Sequence, residues 1–186
     1  MSAMLEIRIH GRGGQGNVTL AQLIAMAAFY DGKMSQAFPS FGVERKGAPV
    51  LAFVKIAKDF IKSRQQIYEP DFIIIQDPTL IPVLNIFEGA QAKTIVIINS
   101  NKAAREACPL YKGKLYCVPA LDIALKNIGK PIINTAMLGA FARVSGLITL
   151  QSAKKATLVN LGKKIPQDVI EKNIKALEEA YNSTEI

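Results

Sequence analysis

The segment Leu5-Glu-Ile-Arg-Ile-His-Gly-Arg-Gly-Gly-Gln-Gly16 decides the fold class of this chain. Its first half alternates apolar and polar side chains, which is the pattern of a β-strand with one buried face. The glycines that follow indicate a turn, and the apolar stretch from Gln15 to Tyr30 is typical of a helix that Gly32 would cap. The opening of the chain therefore predicts a strand-turn-helix unit.

Short apolar stretches alternate with helical patterns along the remaining chain. The predicted strands are Lys33–Phe38, Val50–Ile56, Phe72–Gln76, Thr94–Asn99 and Lys114–Val118, with Phe60–Arg64 as a hairpin partner of the second of these. The predicted helices are Thr79–Phe87, a short helix near Lys102, Leu121–Asn127, Thr135–Ser145, Leu150–Leu161 and Gln167–Tyr181. This alternation predicts a Rossmann-like α/β fold, with a mostly parallel sheet covered by helices and a helical C-terminal segment. Because the chain has 186 residues, we expect one domain spanning residues 1–186.

Composition and charge narrow the classes of protein to which the chain can belong. Its apolar stretches are far shorter than the roughly 20 residues of a membrane helix, and its start lacks the pattern of a secretory signal. We therefore expect a soluble, cytoplasmic protein without a membrane span. The net charge of +8 is spread along the chain and accompanies no nucleic-acid-binding motif, so a nucleic-acid partner is not expected. An anionic cofactor or an acidic partner subunit would also suit this charge.

Cysteine and histidine residues predict no catalytic or metal site. Cys108 and Cys117 are too few for an iron-sulfur cluster, which usually needs four thiolates, and their spacing fits no zinc motif or disulfide framework. We expect reduced thiols in the core. His10, the single histidine, has no Ser, Cys or carboxylate pair beside it in a catalytic pattern and is interpreted as a strand-end residue.

The strongest local signal is Gly11-Arg-Gly-Gly-Gln-Gly16, because backbone amides and a helix N-terminus at such a turn can hold a phosphate. A tight turn without a ligand would need the same glycines. A dinucleotide fingerprint also requires an acidic residue at the end of the second strand, but that strand ends in Gln36-Ala-Phe-Pro39, and Asp31 precedes it. Phosphate binding is therefore predicted and NAD binding is not, with Gly11, Gly13, Gly14, Gln15 and Gly16 as candidate ligands.

A second candidate segment is the loop Phe38–Gly47, which follows a strand end, where open parallel sheets bind ligands. Arg45 and Lys46 could bind a phosphate or carboxylate there, or Glu44 and Arg45 could form a structural ion pair. Two further polar residues are interpreted as helix caps. Asp77 precedes Pro78, and Asn134 precedes the helical pattern that starts at Thr135.

Three motifs together resemble one protein family. They are His10-Gly-Arg-Gly-Gly-Gln-Gly16, Gln36-Ala-Phe-Pro-Ser-Phe-Gly-Val-Glu-Arg-Lys-Gly-Ala-Pro49 and Asn134-Thr-Ala-Met-Leu-Gly-Ala-Phe141. Their order and spacing are similar to those of the gamma subunits of 2-oxoacid:acceptor oxidoreductases, and the chain length matches. The end of the middle motif looks most like the pyruvate:ferredoxin (flavodoxin) branch. The resemblance spans nearly the whole sequence.

The resemblance implies a complex of alpha, beta, gamma and delta subunits that converts pyruvate and coenzyme A (CoA) to acetyl-CoA and carbon dioxide. Electrons would pass to ferredoxin or flavodoxin. In that family the beta subunit holds thiamine diphosphate with Mg, and the delta subunit holds iron-sulfur clusters. This chain is accordingly expected to hold none of these cofactors, to be inactive alone and to supply no catalytic residue.

The resemblance also suggests a role for this subunit, namely support of assembly and binding of a CoA phosphate by the glycine-rich turn with Arg45 and Lys46. The alternative is that both segments hold the interface with the alpha subunit. An alternative within the family is that this chain is the gamma subunit of a 2-oxoglutarate, 2-oxoisovalerate or indolepyruvate oxidoreductase. A free-standing nucleotide-binding regulatory module is an alternative of another class.

Overall fold

The computed structural model describes residues 4–40, 47–61, 64–162 and 165–186. Six strands form one sheet in the order β2-β3-β1-β4-β5-β6. The strands are β1 (Leu5–Arg12), β2 (Met34–Pro39), β3 (Pro49–Ala57), β4 (Phe72–Ile75), β5 (Ile95–Asn99) and β6 (Lys114–Val118). The helices are α1 (Asn17–Tyr30), α2 (Ala104–Ala107), α3 (Ala120–Ile128), α4 (Asn134–Ser145), α5 (Leu150–Leu161) and α6 (Gln167–Ser183).

Strand directions confirm the predicted Rossmann-like class. Strands β1, β4, β5 and β6 pair in parallel, whereas β3 pairs antiparallel with both β1 and β2. Among the described strands, β3 therefore runs alone against the direction of the other five. The carboxyl ends of β1, β2 and β4 consequently lie at the same edge of the sheet.

One side of the sheet, here called the helical face, is covered by α1 and α3–α6. Side chains of β1 and β3 that point to this side, such as Ile7 and Val54, join one large apolar cluster with the five helices. Phe141 of α4 is fully buried there and contacts Phe72 edge to face, with 5.6 Å between ring centroids. Helices α4 and α6 come so close that a Cβ atom on Gly139 would lie 2.1 Å from the Leu177 carbonyl oxygen. The face is held by close apolar packing.

The opposite side, here called the irregular face, is covered by the described parts of 58–70, by 76–94 and by the short helix α2. Beneath these segments lies a smaller apolar cluster that includes Ile73 and Ile86. Arg8 of β1 joins the two irregular segments, because its guanidinium donates hydrogen bonds to backbone carbonyls of both. The acceptors are the carbonyls of Ile67, Tyr68, Ile86 and Glu88, at 3.3, 3.5, 2.9 and 2.6 Å.

Two predicted elements are wrong, and both belong to the irregular face. The predicted helix Thr79–Phe87 is only a 3₁₀ turn, Pro78–Leu80, followed by turns, because Pro82 can neither donate its i→i−4 hydrogen bond nor fit inside a helix. The described residues of Phe60–Arg64 form no strand, and Lys62 and Ser63 lie outside the described residues. A hairpin partner had no place there, since β1 and β2 already occupy both edges of β3.

The remaining predicted elements are confirmed, with shifted ends. Strand β1 continues through Gly11 to Arg12, and α1 begins at Asn17 instead of Gln15. The short helix near Lys102 is Ala104–Ala107. No helix within the described ranges is long and apolar enough to cross a membrane.

Candidate functional site

The candidate site lies at the carboxyl ends of β1 and β4. Strand β1 is followed by the glycine-rich turn and α1, and the chain then forms β2 and β3, which lie to one flank of β1 within the sheet. Strand β4 lies on the other flank of β1, and the chain continues from it outward to β5 and β6. Open α/β sheets bind ligands in the crevice that such a change of direction creates. Here this location is called the carboxyl-edge site.

The glycine-rich turn presents an uncapped helix N-terminus to this site. Gly14 and Gly16 have φ values of 91° and 81°, which disfavour any residue with a side chain. Gly16 is the N-cap of α1, no side chain from the described residues caps it, and the first turn contains no acidic residue. The first amide groups of α1 therefore remain suited to an anion.

Other candidate residues in the turn are already engaged. The Gly13 amide donates to the Ala48 carbonyl at 2.8 Å, and the Gln15 amide donates to the Arg12 carbonyl at 3.0 Å. Gly11 lies in β1, where a Cβ atom would fall 2.2 Å from Asn17 Oδ1, so its role is close packing. Of the five candidates, Gly14 and Gly16 retain the geometry expected of anion ligands.

Asp77 connects the turn to the end of β4. Its carboxylate accepts hydrogen bonds from Arg12 Nε and Gln15 Nε2, both at 2.9 Å, and from the Thr79 amide at 3.0 Å. Burial alone would raise the pKa of Asp77, but the hydrogen bonds from Thr79, Gln15 and Arg12 outweigh it and lower the pKa below its ordinary value. The predicted capping role is confirmed, and the charge of Arg12 is balanced within the site.

A chain of carboxamide side chains crosses the same edge. Asn17 Nδ2 donates to the Val50 carbonyl at 3.2 Å, and Gln76 Nε2 donates to Asn17 Oδ1 at 2.6 Å. Because a carbonyl only accepts, this order fixes both amide orientations and leaves Gln76 Oε1 as the unused atom. Gln76 is 1% exposed, and its Oε1 has no hydrogen-bond partner in the part of the chain that the structure describes.

Gln76 lines a cavity of about 590 Å³ at the ends of β4, β5 and β6. The wall combines apolar residues such as Leu121 and Pro131 with polar residues such as Asn99. Its acidic residues, Asp77, Glu106 and Asp122, outnumber the single described base, Lys102. The cavity itself thus favours a group that donates hydrogen bonds, whereas the adjoining N-terminus of α1 favours an anion.

Several predicted residues do not join this site as ligands. Arg45 and Lys46 lie outside the described residues. The prediction that Asn134 caps α4 is wrong, because Ile133 is the N-cap and Asn134 lies inside the helix. The Oδ1 atom of Asn134 is buried there and has no partner among the described residues. Its Nδ2 instead occupies the space beside Gly16, only 2.3 Å from where a Cβ atom would stand.

Titratable residues elsewhere offer no second catalytic set within the described ranges. Burial and the positive charge of Arg8 together lower the pKa of His10 to about 3. Cys108 and Cys117 are free thiols whose pKa values burial raises. The described residues contain no group of three His, Cys, Asp or Glu side chains able to hold a metal ion.

Sequence reasoning missed Arg12 and Gln76. The position of Asp77 directly after a strand parallel to β1 could have indicated the pair with Arg12, since carboxyl ends of parallel strands meet at one edge. No local signal indicates the free Gln76 oxygen, because it depends on an asparagine 59 positions away.

Comparison with known proteins supports one family throughout. A family model described as pyruvate ferredoxin/flavodoxin oxidoreductase matches residues 6–183. Pyruvate synthase subunit PorC of Methanocaldococcus jannaschii is 52% identical over 179 residues, which cover 96% of each chain. The pyruvate/ketoisovalerate oxidoreductases common subunit gamma of Pyrococcus furiosus is 45% identical over 186 residues, which cover 98% of each chain.

Solved structures show the same architecture. Pyruvate oxidoreductase subunit PORC of Thermotoga maritima superposes with a TM-score of 0.85 at 37% identity, covering 98% of this chain and 97% of that one. The 2-oxoglutarate:ferredoxin oxidoreductase of Magnetococcus marinus superposes with a TM-score of 0.78 at 20% identity, covering 96% of this chain and 30% of that one. The second likeness shows the fold alone. From the family model and the close relatives, the chain belongs to the pyruvate ferredoxin/flavodoxin oxidoreductase family, as one of its separate gamma subunits.

Proposed function

We propose that this gamma subunit works in a pyruvate:ferredoxin or pyruvate:flavodoxin oxidoreductase and holds CoA at its carboxyl-edge site while other subunits perform the electron transfer. The identity of 52% to a pyruvate synthase subunit over 96% of each chain is the observation that carries the choice of pyruvate. A structure of the 2-oxoglutarate:ferredoxin oxidoreductase of Magnetococcus marinus has CoA bound, which supports CoA as a ligand of this class of enzyme.

The N-terminus of α1 is the proposed place for a CoA phosphate. Its amides are uncapped within the described residues, and the positive φ values of Gly14 and Gly16 keep the turn free of side chains. Arg12 is a less suitable phosphate ligand, because Asp77 already balances its charge. The contact is therefore expected to rest mainly on backbone amides.

Arg45 and Lys46 remain proposed CoA ligands because the loop that contains them ends beside the turn. The Gly47 amide donates to the Gly13 carbonyl at 3.2 Å, and the Gly13 amide donates to Ala48. Gly47 directly follows Lys46 in the sequence. The hydrogen bonds of Gly47 and Ala48 to the turn support this proposal.

Gln76 Oε1 is the proposed acceptor for an N–H group of CoA. CoA has such donors in the two amides of its pantetheine arm and in the amino group of its adenine. A cavity lined by Gln76, whose side-chain oxygen is unpaired, and a helix N-terminus beside it match a ligand with both donors and phosphates.

The proposed complex contains alpha, beta and delta subunits besides this chain, with ferredoxin or flavodoxin as electron acceptor. Thiamine diphosphate with Mg would stabilise the carbanion formed from pyruvate, and iron-sulfur clusters would carry the electrons. This subunit is expected to orient CoA and to be inactive alone. One observation favours a second candidate function, a subunit shared with a ketoisovalerate enzyme, since relatives of 45% and 47% identity are common subunits of both enzymes.

Gln76→Met in the assembled complex tests the CoA proposal, because methionine nearly keeps the volume and removes the acceptor, together with the hydrogen bond to Asn17. Losing one neutral hydrogen bond should raise the KM for CoA roughly 3- to 10-fold, while kcat and the KM for pyruvate stay within about twofold. Gln91→Met, at an exposed residue away from the cavity, is the control. An unchanged KM for CoA in a correctly assembled Gln76→Met complex would contradict the proposed contact.

A further inference from the structure

A second cavity, here called the His10 cavity, lies on the irregular face and shares no described lining residue with the carboxyl-edge cavity. Its volume is about 370 Å³. Leu51 of β3 and the irregular residues Leu80 and Leu84 supply apolar walls, and Asn85 and Glu88 supply polar ones. The wall next to β1 is formed by His10.

The protonation of His10 follows from its neighbour. Arg8 Nε donates a hydrogen bond to His10 Nε2 at 3.1 Å, and a guanidinium cannot act as the acceptor, so Nε2 must present its lone pair. Burial lowers the pKa of His10 to about 3, which keeps the ring neutral near pH 7. The single ring proton is therefore on Nδ1.

The Nδ1–H group of His10 has no acceptor. His10 is 5% exposed, and its Nδ1 is buried without a hydrogen-bond partner among the described residues. Buried N–H groups without a partner are rare because each loses its hydrogen bond to water on folding. The unpaired N–H group thus belongs to a residue that lines a cavity.

Charge indicates which acceptor fits best. The Arg8 guanidinium is buried, donates only to His10 and to backbone carbonyls, and is not within salt-bridge distance of any carboxylate of the described residues. Burial lowers the pKa of Arg8 and the charge of Glu88 raises it, so this carboxylate offsets part of the positive charge from beyond salt-bridge distance. Glu88, the acidic residue of the described cavity wall, has an exposed side chain whose charge water screens.

We infer that the His10 cavity binds a small aliphatic carboxylate, whose oxygen accepts the hydrogen bond from His10 Nδ1 while its apolar body contacts Leu51, Leu80 and Leu84. The carboxylate also lies in the field of Arg8. This site is distinct from the proposed CoA contact at Gln76, because the two cavities share no described lining residue.

The full chain labelled with ¹⁵N-histidine tests the inference directly, since its only histidine gives two ring-nitrogen signals. The ligand-free spectrum near pH 7 is expected to show the Nδ1–H form. Isobutyrate should shift the Nδ1 and Hδ1 signals until saturation, with a Kd on the order of 1 mM for so small a ligand. Isobutyramide should bind more weakly, and isobutylamine, which lacks the acceptor, should cause no saturable shift.

Two substitutions control the cavity without altering His10. Leu84→Trp should fill the cavity and weaken isobutyrate binding by at least about tenfold while the Nδ1–H form persists. Val83→Trp, at an exposed neighbour outside the described cavity wall, should leave binding unchanged.

Two further substitutions test His10 itself. His10→Asn, which keeps an N–H near the place of Nδ1, should retain binding in ligand-observed spectra, whereas His10→Leu should lose it.

Three results would overturn the inference. An Nε2–H form in the ligand-free chain would remove the missing acceptor. An absent isobutyrate shift would show a cavity that holds only water. An equal response to isobutylamine would show apolar binding without the hydrogen bond. None of these results would change the KM for CoA, so the two proposals fail separately.

Discussion

The helical face of the sheet is filled by apolar side chains of five helices, whereas the irregular face combines a small apolar cluster with the buried guanidinium of Arg8. A helix satisfies its own backbone, so only its side chains must match the sheet. Irregular segments leave backbone carbonyls without internal partners, and each needs a donor when it is buried. One arginine can supply several such donors. The two faces should therefore respond differently to the loss of one side chain.

The greatest loss of stability is expected from a truncation on the helical face. Phe141→Ala should reduce the free energy of unfolding by about 4 kcal/mol, because the ring is fully buried and its removal leaves a cavity. Denaturant unfolding should show the loss as one cooperative transition for the whole chain. Phe29→Ala is the control, since Phe29 is 66% exposed. A loss below about 1 kcal/mol would mean that this face is not closely packed.

A smaller and local effect is expected on the irregular face. Arg8→Met keeps the apolar stem but removes the donors to four carbonyls, so we expect a loss of about 2–3 kcal/mol. Hydrogen exchange should accelerate first in the described parts of 58–70 and in 76–90, while α4 and α6 stay protected. Arg105→Met, at an exposed arginine, is the control. Equal acceleration of hydrogen exchange on both faces would contradict a local stabilisation of the irregular face by Arg8.

The smallest expected change in stability comes from the titration of His10 with pH. The pKa of His10 is about 3 in the folded chain and near 6.5 in the unfolded chain, so below pH 6.5 the unfolded state binds a proton that the folded state excludes. Stability should therefore fall by about 2 kcal/mol between pH 8 and pH 5. The lowered pKa values of Asp31, Asp77 and Glu179 affect stability only at lower pH.

Urea unfolding at the two pH values checks this prediction. His10→Asn cannot titrate in that range, so its stability should change little between pH 8 and pH 5. A similar fall in the variant and the natural chain would assign the effect to other groups, and no fall in either would mean that His10 is not buried as a neutral ring.

The same contrast explains what could be predicted from the sequence. Strands such as β4 and helix α1 were predicted because burial imposes a period or an apolar run that is visible locally. On the irregular face, the predicted helix Thr79–Phe87 neglected Pro82, which is visible in the sequence. The support that Arg8 gives to this face could not be predicted locally, because Arg8 is 59 to 80 positions away from its acceptors. The glycine-rich turn was located correctly, but the free oxygen of Gln76 depends on contacts with distant residues.

The proposal that this chain is a subunit of a pyruvate oxidoreductase complex can be tested by purifying the tagged chain under native conditions. Its partners are identified by mass spectrometry, and CoA-dependent pyruvate oxidation is assayed with a viologen dye. We expect co-purifying chains that bind thiamine diphosphate and iron-sulfur clusters, together with pyruvate activity. Activity with ketoisovalerate in addition would identify a shared subunit. A monomer without partners or activity would contradict the assignment of this chain as a subunit of such a complex.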